Sequence, residues 1–313
     1  MIIDLKSGNA SDKPSRPTVL VLGNFDGVHK GHLRLIGEAV ELSRKNGLDS
    51  AAWTFAEHPQ LLLNAKKTEY LTDTSEKNII FAKEGLDYAI YEDFALVKDM
   101  TPEDFVKNIL IDSLDCRAAV CGFNFRFGKN GSGNAELLQT LMKAHNRDAV
   151  VIPPVYIDGG LVSSTAIRAL IEDGKTEEAS RLLGRPYSVT LPVVEGKRLG
   201  RTIGLPTINQ SFPQSRIRPK NGIYACTCLI DGKVYRGVSN VGSRPTVNDD
   251  SSDVNCETHI IGYEGWLYGQ SVTVSFYKRL RDEKRFPDLD LLKSAVENDV
   301  AACLDYSSKN EGI

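Results

Sequence analysis

Apolar residues in the first part of the chain come in short continuous runs separated by stretches of helical spacing. Thr18-Val-Leu-Val-Leu22 is such a run and suits a strand buried on both faces. A glycine-rich stretch follows, then Leu33, Ile36 and Val40 recur on one helical face that ends near Asn46-Gly47. Residues 50–55, 87–91, 117–121 and 149–152 read as further strands, with a helix through Phe105, Ile109 and Leu110 among them. Alternation of this kind predicts an α/β domain with a parallel sheet covered by helices on both faces. After Leu183-Gly-Arg-Pro186 the rhythm changes. Residues 188–195, 223–230, 234–241, 257–262 and 271–277 read as strands separated by glycine, proline and Asn-Asp clusters. Asp231-Gly232 between two β-rich runs is a hairpin signal. Consecutive strands joined by turns predict an antiparallel barrel or sandwich. A last helix carries Leu289, Leu292, Val296, Val300 and Cys303 on one face. The expected domains are therefore 1–185 and 186–313.

Size agrees with this division, because 313 residues exceed one ordinary core. A net charge of −3 argues against a nucleic-acid binder that relies on bulk positive charge. No apolar run approaches the length of about 18 residues that a membrane span needs. The polar N-terminus offers no apolar signal segment, and the six cysteines have no spacing of a disulfide framework. A cytoplasmic protein is the simple expectation. Cys226 and Cys228 would share a strand face, but a metal site there needs further ligands that the sequence does not announce.

Chemistry concentrates in a few stretches. Gly23-Asn-Phe-Asp-Gly-Val-His-Lys-Gly-His32 lies between the first strand and its helix, where α/β folds hold phosphates. Glycines such as Gly23 and Gly31 let the backbone approach a ligand. His29 and His32 are three apart at a helix start and can donate to an α-phosphate as charge builds. A helix-capping loop with surface histidines, or a zinc site, are the plainer alternatives. Val162-Ser-Ser-Thr-Ala-Ile-Arg168 places hydroxyls and an Arg at another helix start, which suits a polyphosphate. Alone it reads as a capped helix. Farther on, Gly200-Arg-Thr-Ile-Gly-Leu-Pro-Thr-Ile-Asn209 contains an extended Pro-Thr-x-Asn, with Thr207 and Asn209 pointing the same way. Their neutral oxygens suit magnesium carried by ATP, which needs few protein ligands. Glu257, two residues before His259, offers a carboxylate base for a hydroxyl nucleophile. An edge-strand surface Glu is the plainer reading.

Taken together, the histidine motif and the Ser-Thr-x-x-Arg stretch resemble the nucleotidyltransferase superfamily, with a Rossmann-like sheet. Thr54-Phe-Ala-Glu-His-Pro59, Leu71-Thr72, Glu76-Lys77 and Gly122-Phe-Asn-Phe-Arg-Phe-Gly128 are similar to the FMN adenylyltransferase module of bacterial flavin synthetases. The second half resembles a riboflavin kinase module through the Gly200–Asn209 motif, Gly237-Val-Ser-Asn-Val-Gly-Ser-Arg-Pro-Thr246, Cys256-Glu-Thr-His259, Leu267-Tyr-Gly269 and Leu280-Arg-Asp-Glu283. The family resemblance is to bifunctional riboflavin kinase/FMN adenylyltransferases. It implies an ATP-dependent phosphorylation of riboflavin to FMN and adenylylation of FMN to FAD. The residues it implies for ATP are Gly23, Phe25, Asp26, His29, Gly31, His32, Ser164, Thr165, Arg168, Gly200, Arg201, Gly204, Thr207 and Asn209. Mg2+ falls to Thr207 and Asn209, flavin to Asn124, Phe125, Phe127 and Arg281, and catalysis to Glu257, His29 and His32. Departures from the family pattern stand at Glu57, at Leu191-Pro192 and at Val247. A nucleotidyltransferase for another phosphate would leave the second half unexplained. A flavin sensor without turnover sits poorly with intact Glu257, His29 and His32.

Overall fold

The computed structural model describes residues 2–4, 14–55, 69–196, 200, 204–243 and 254–309. Arg201, Glu57 and Val247 lie outside the described residues. The chain packs as two compact units, 1–164 and 165–313.

In the first unit, strands β1 (Ile2–Asp4), β2 (Thr18–Leu22), β3 (Asp49–Phe55), β4 (Tyr88–Glu92), β5 (Cys116–Gly122) and β8 (Asp148–Ile152) form a parallel sheet in the order β1-β4-β3-β2-β5-β8. Two short ribbons, β6 (Arg126–Phe127) with β7 (Gly133–Asn134) and β9 (Tyr156–Ile157) with β10 (Gly160–Leu161), extend its loops. The continuous apolar run of β2 is explained by its two buried faces. Leu20 and Leu22 pack with Trp53, Phe105 and Cys121 on one side, and Val19 and Val21 with Ile36, Val40 and Phe81 on the other. Helix α1 (Lys30–Asn46) covers the second side and stops at Gly47, whose φ of 64° ends the helix in the left-handed region. The helix expected through Phe105 is present, wound as a π-helix over Phe105–Ser113. The chain runs from β2 outward through β3 to β4, then returns to place β5 on the other side of β2. The C-terminal ends of β2 and β5 thus flank a topological switch point, where α/β sheets bind ligands.

In the second unit, β11 (Tyr187–Pro192), β12 (Thr207–Ser211), β13 (Gly222–Ile230), β14 (Lys233–Ser243), β15 (Val254–Ile260) and β16 (Ser271–Arg281) pair antiparallel in the order β11-β16-β13-β14-β15-β12. The two ends of this order meet. Val194 N donates to Asn209 O at 2.8 Å, and Gln210 Nε2 donates to Leu191 O at 2.6 Å and Val272 O at 2.8 Å. These bonds close the sheet into a barrel and leave few open edge groups. Asp231 and Gly232 make the expected two-residue hairpin, with φ of 48° and 76° as a type I′ turn demands. Helix α2 (Leu289–Lys309) lays Cys303 on Ile223, Ala225 and Val238. Leu289, expected on the covered face, is half exposed at the helix start.

The unit boundary differs from the expected 185/186 division. Helix Thr176–Leu183 packs on β11 and β16, and Thr176 Oγ1 donates to Tyr277 O at 2.8 Å. That helix was not evident in the sequence, where its apolar positions are few and flanked by charges.

All six cysteines are free and buried. Burial pushes the Cys116 and Cys256 thiols up to about 12, which leaves them protonated.

Candidate active sites

The first site is the loop leaving β2. Phe25, Gly27 and Val28 all have positive φ, at 50°, 83° and 37°. Two of these are not glycine, so surrounding contacts must hold the loop in this conformation. Those contacts are visible. Asp26, buried, accepts from Leu71 N at 2.8 Å and Thr72 N at 3.2 Å. Gly27 N donates to Thr72 Oγ1 at 2.9 Å, and Lys77 Nζ donates to Asn24 O at 3.0 Å. Desolvation lowers the Lys77 pKa, with Asp26 and Asp73 opposing. Phe25 is fully buried, edge-on to His32 at 5.2 Å and to Phe81 at 5.5 Å. Phe25 and Asp26, expected as nucleotide contacts, therefore act on the loop from behind. The rigid loop needs an apolar anchor and an acceptor for the amides of Leu71 and Thr72, and these two side chains supply them.

His29 is the N-cap of α1. Its Nδ1 accepts from His32 N at 3.2 Å, and its ring stacks on His32 with centroids 3.7 Å apart. An Nδ1 that accepts must be unprotonated, so neutral His29 carries its proton on Nε2 and can donate from there. Gly31 permits the stack: a Cβ there would stand 3.0 Å from His29 Cε1. A Cβ on Gly23 would meet the Phe25 ring at 3.2 Å. The loop after β5 lies at the same sheet end. Phe123 and Asn124 are exposed there and Phe125 is half-buried. Phe127, expected to touch flavin, is instead core: it stacks on Phe125 at 5.6 Å and packs near Phe105. The cause is Gly133 on the paired strand, where a Cβ would come within 2.7 Å of the Phe127 ring. Ser164 Oγ donates to Asp26 O at 2.8 Å, which ties Ser164 to the histidine loop. Thr165 and Arg168 continue the helix Ser164–Glu172, within the second compact unit.

The second site is a cleft of about 200 Å³ in the barrel unit, walled by β12 to β16 and α2. Along β15, Cys256, Thr258 and Ile260 are buried while Glu257 and His259 are half-buried and line the cleft, as strand alternation predicts. Register builds the rest. Glu257 stands directly opposite Asn209 of β12 on one side and Asn240 of β14 on the other. His259 stands opposite Thr207. Thr207, Asn209, Glu257 and His259, expected from separate motifs, thus meet on two rungs one apart, with Ile208 and Thr258 paired between them. His259 Nδ1 donates to Pro206 O at 2.9 Å, which ties the approach of β12 to β15. Leu205 N donates to Gly200 O at 2.8 Å, and a Cβ on Gly200 would collide with Leu205 O. Gly204, beside Leu205, has a φ of 78°. Arg281 lines the cleft, but its guanidinium is engaged: Nε and Nη2 grip Asp299 at 2.8 and 2.7 Å, and Nη1 donates to Asp282 O. Among the described residues no cluster of three or more His, Cys, Asp or Glu could hold a metal ion.

Comparison with known proteins decides the family. A family model for FAD synthetase matches residues 11–166, and one for riboflavin kinase matches residues 183–307. A bifunctional riboflavin kinase/FMN adenylyltransferase of Escherichia coli is 34% identical over 302 residues, covering 95% of each chain. One from Listeria monocytogenes is 32% identical over 285 residues, covering 90% of each. The chain belongs to the bifunctional riboflavin kinase/FMN adenylyltransferase family. As a member it is an ATP-using transferase with a nucleotidyltransferase part and a kinase part. A solved structure described as a macrolide-efflux protein from Streptococcus pneumoniae has the same architecture, with a TM-score of 0.86, 29% identity and 98% of this chain covered. Among the described residues of this family member, no helix is long and apolar enough to cross a membrane.

Asn240 and Asp299 line the cleft of the barrel unit but were missed in the sequence. Asn240 lies inside the Gly237–Thr246 motif, so a signal existed; only strand pairing shows that it neighbours Glu257. Asp299 sits in α2 as one acid among many, and nothing local marks it.

Proposed function

We propose that this family member divides its two reactions between the two sites, phosphorylating riboflavin to FMN in the cleft and adenylylating FMN to FAD at the histidine loop. The observation that carries the division is the carboxylate of Glu257 in the cleft, flanked by amides, against stacked histidines at the loop. Riboflavin presents a hydroxyl, a poor nucleophile that gains from a base. FMN presents a phosphate whose second pKa is about 6, so it is largely a dianion at pH 7 and needs none.

In the cleft, Glu257 takes the proton of the terminal ribityl hydroxyl as its oxygen attacks the γ-phosphorus of ATP and ADP leaves. The oxygens of Thr207 and Asn209, neutral and on one face, fit Mg2+ that arrives with ATP; bound, it would neutralise charge on the phosphates. Gly200 and Gly204 are assigned to the nucleotide, as is Arg201 by the family resemblance alone. Arg281, held by Asp299, presents its stem to the flavin, with three of its five N–H donors already engaged and its guanidinium over the Phe286 ring. At the loop, an oxygen of the FMN phosphate attacks the α-phosphorus of ATP and pyrophosphate leaves. His29 donates from Nε2 to the α-phosphate, with His32 stacked behind it, and Gly23 and Gly31 keep the backbone close. The Ser164, Thr165 and Arg168 stretch is assigned to the polyphosphate, and Asn124 with Phe125 to the flavin. Six buried thiols, none in a disulfide, are in keeping with a reducing cytoplasm.

Incubation with riboflavin and Mg-ATP, followed by chromatography of the flavins, tests the division. Wild type is expected to yield FMN and FAD. Glu257→Gln is expected to yield FAD only when FMN is supplied. Loss of both reactions in a folded Glu257→Gln protein would refute the division.

A further inference from the structure

Asn240 is a polar side chain of the cleft whose chemistry is left open. It lines the cleft from β14, one strand away from Glu257 and directly opposite it. Directly opposite residues of an antiparallel pair hold their Cβ atoms about 4.5–5.5 Å apart. Asn240 Oδ1 is buried and has no hydrogen-bond partner. An acceptor shielded in this way costs stability unless a donor arrives, so the site is built for something that brings one.

The identity of the donor follows from elimination among the groups that meet at the point of phosphoryl transfer, where ATP brings its phosphates and not its ribose or adenine. An amide oxygen accepts only. Glu257, when ionised, also only accepts and cannot satisfy it. The phosphates of ATP offer acceptors alone. Riboflavin is different, because its ribityl chain carries several O–H groups in succession. When the terminal hydroxyl rests against Glu257, the next hydroxyl along the chain lies one carbon back, on the side of a neighbouring strand. Asn209, on the other neighbour, packs against Gly196 and its oxygen is already assigned to Mg2+. That leaves the Asn240 side for the polyol.

We propose that Asn240 is a specificity residue of the kinase site: its Oδ1 accepts a hydrogen bond from the secondary ribityl hydroxyl adjacent to the one phosphorylated. The inference rests on the reading of Glu257 as the base that receives the terminal hydroxyl. It goes further in assigning recognition of a second hydroxyl, and so selection for a polyol chain over a simple alcohol. A site built to pair a substrate hydroxyl rejects the analogue that lacks it, because the protein group is then left buried and unpaired.

The test compares riboflavin with a synthetic analogue lacking only that secondary hydroxyl, in the full-length wild type, Asn240→Leu and Asn240→Ala. Wild type is expected to lose about ten- to a hundredfold in kcat/KM on the analogue. Both variants are expected to be slower on riboflavin by a similar factor but nearly indifferent to the missing hydroxyl, so the two deletions are not additive. FMN adenylylation by the same proteins reports that they are folded. Equal use of the two substrates by wild type, within about threefold, would overturn the proposal without any variant. So would variants that keep the wild-type preference, or that lose activity additively, as expected if Oδ1 met a metal-bound water instead. Glu257→Gln separates the two claims. If its turnover survives while wild type still discriminates, the base assignment fails and the Asn240 contact stands; if turnover collapses and wild type does not discriminate, the reverse holds.

Discussion

His29 has two separable jobs, and a pair of substitutions should divide them. Its Nδ1 caps α1 by accepting from His32 N at 3.2 Å, while Nε2 carries the proton assigned to the α-phosphate. Asn is among the best N-cap residues and Ala among the poor ones. His29→Ala therefore removes both jobs, and His29→Asn restores the cap alone. Loss of the cap costs about 1 kcal/mol, or about 2–4 °C in melting temperature for a unit of this size. Loss of a preorganised donor to a charge that grows in the transition state costs about 2.7–4 kcal/mol, or about 10²–10³ in kcat. The assay measures FAD formed from FMN and FMN formed from riboflavin on the same protein, together with a thermal melt. His29→Ala is expected to melt lower and to lose 10²–10³ of adenylylation. His29→Asn is expected to melt as wild type does and to lose the same activity. Phosphorylation of riboflavin should hold in both. If His29→Asn retained adenylylation within about tenfold of wild type, the imidazole would be a helix cap and nothing more.

Other expectations are as direct. Glu257→Gln should lower riboflavin phosphorylation by about 10²–10⁴ in kcat and leave FMN adenylylation intact; a fall of less than about tenfold removes the base role. Phe127→Ala should cost about 3–5 kcal/mol in denaturant unfolding, whereas Phe123→Ala, at 47% exposure, should stay within about 0.5 kcal/mol of wild type. The fragment 165–313 is expected to unfold cooperatively and to convert riboflavin to FMN without making FAD. Trimming it to 183–313 removes the Thr176–Tyr277 bond and the buried Ala179 methyl, and should cost about 2 kcal/mol; equal stability of the two fragments would return the boundary to 185/186.

What the sequence determined by itself was local in character. A five-residue apolar run such as β2 demands burial on both faces, so a covered parallel sheet follows from composition and spacing alone. Asp231-Gly232 is a hairpin because two consecutive positive φ angles are cheapest in those residues. Glu257 and His259 share a face because side chains alternate along any strand. The glycine and histidine motif by itself marks a strand-to-helix loop, because glycines fit the turn and a polar residue caps the helix that follows. Tertiary structure decided which faces and strands meet. Alternation tells that Phe127 points one way, but only Gly133 across the ribbon makes that way the core. Thr207-Ile-Asn-Gln-Ser211 is too polar to declare itself a strand; it becomes one because it closes the barrel through Val194 and pairs with β15. The row Asn209, Glu257, Asn240 exists because strands distant in sequence adopt one register. Periodicity sets the direction of a side chain within its own strand. Neighbours across strands are chosen by the burial and backbone pairing of the whole barrel, a long-range balance that no single segment encodes.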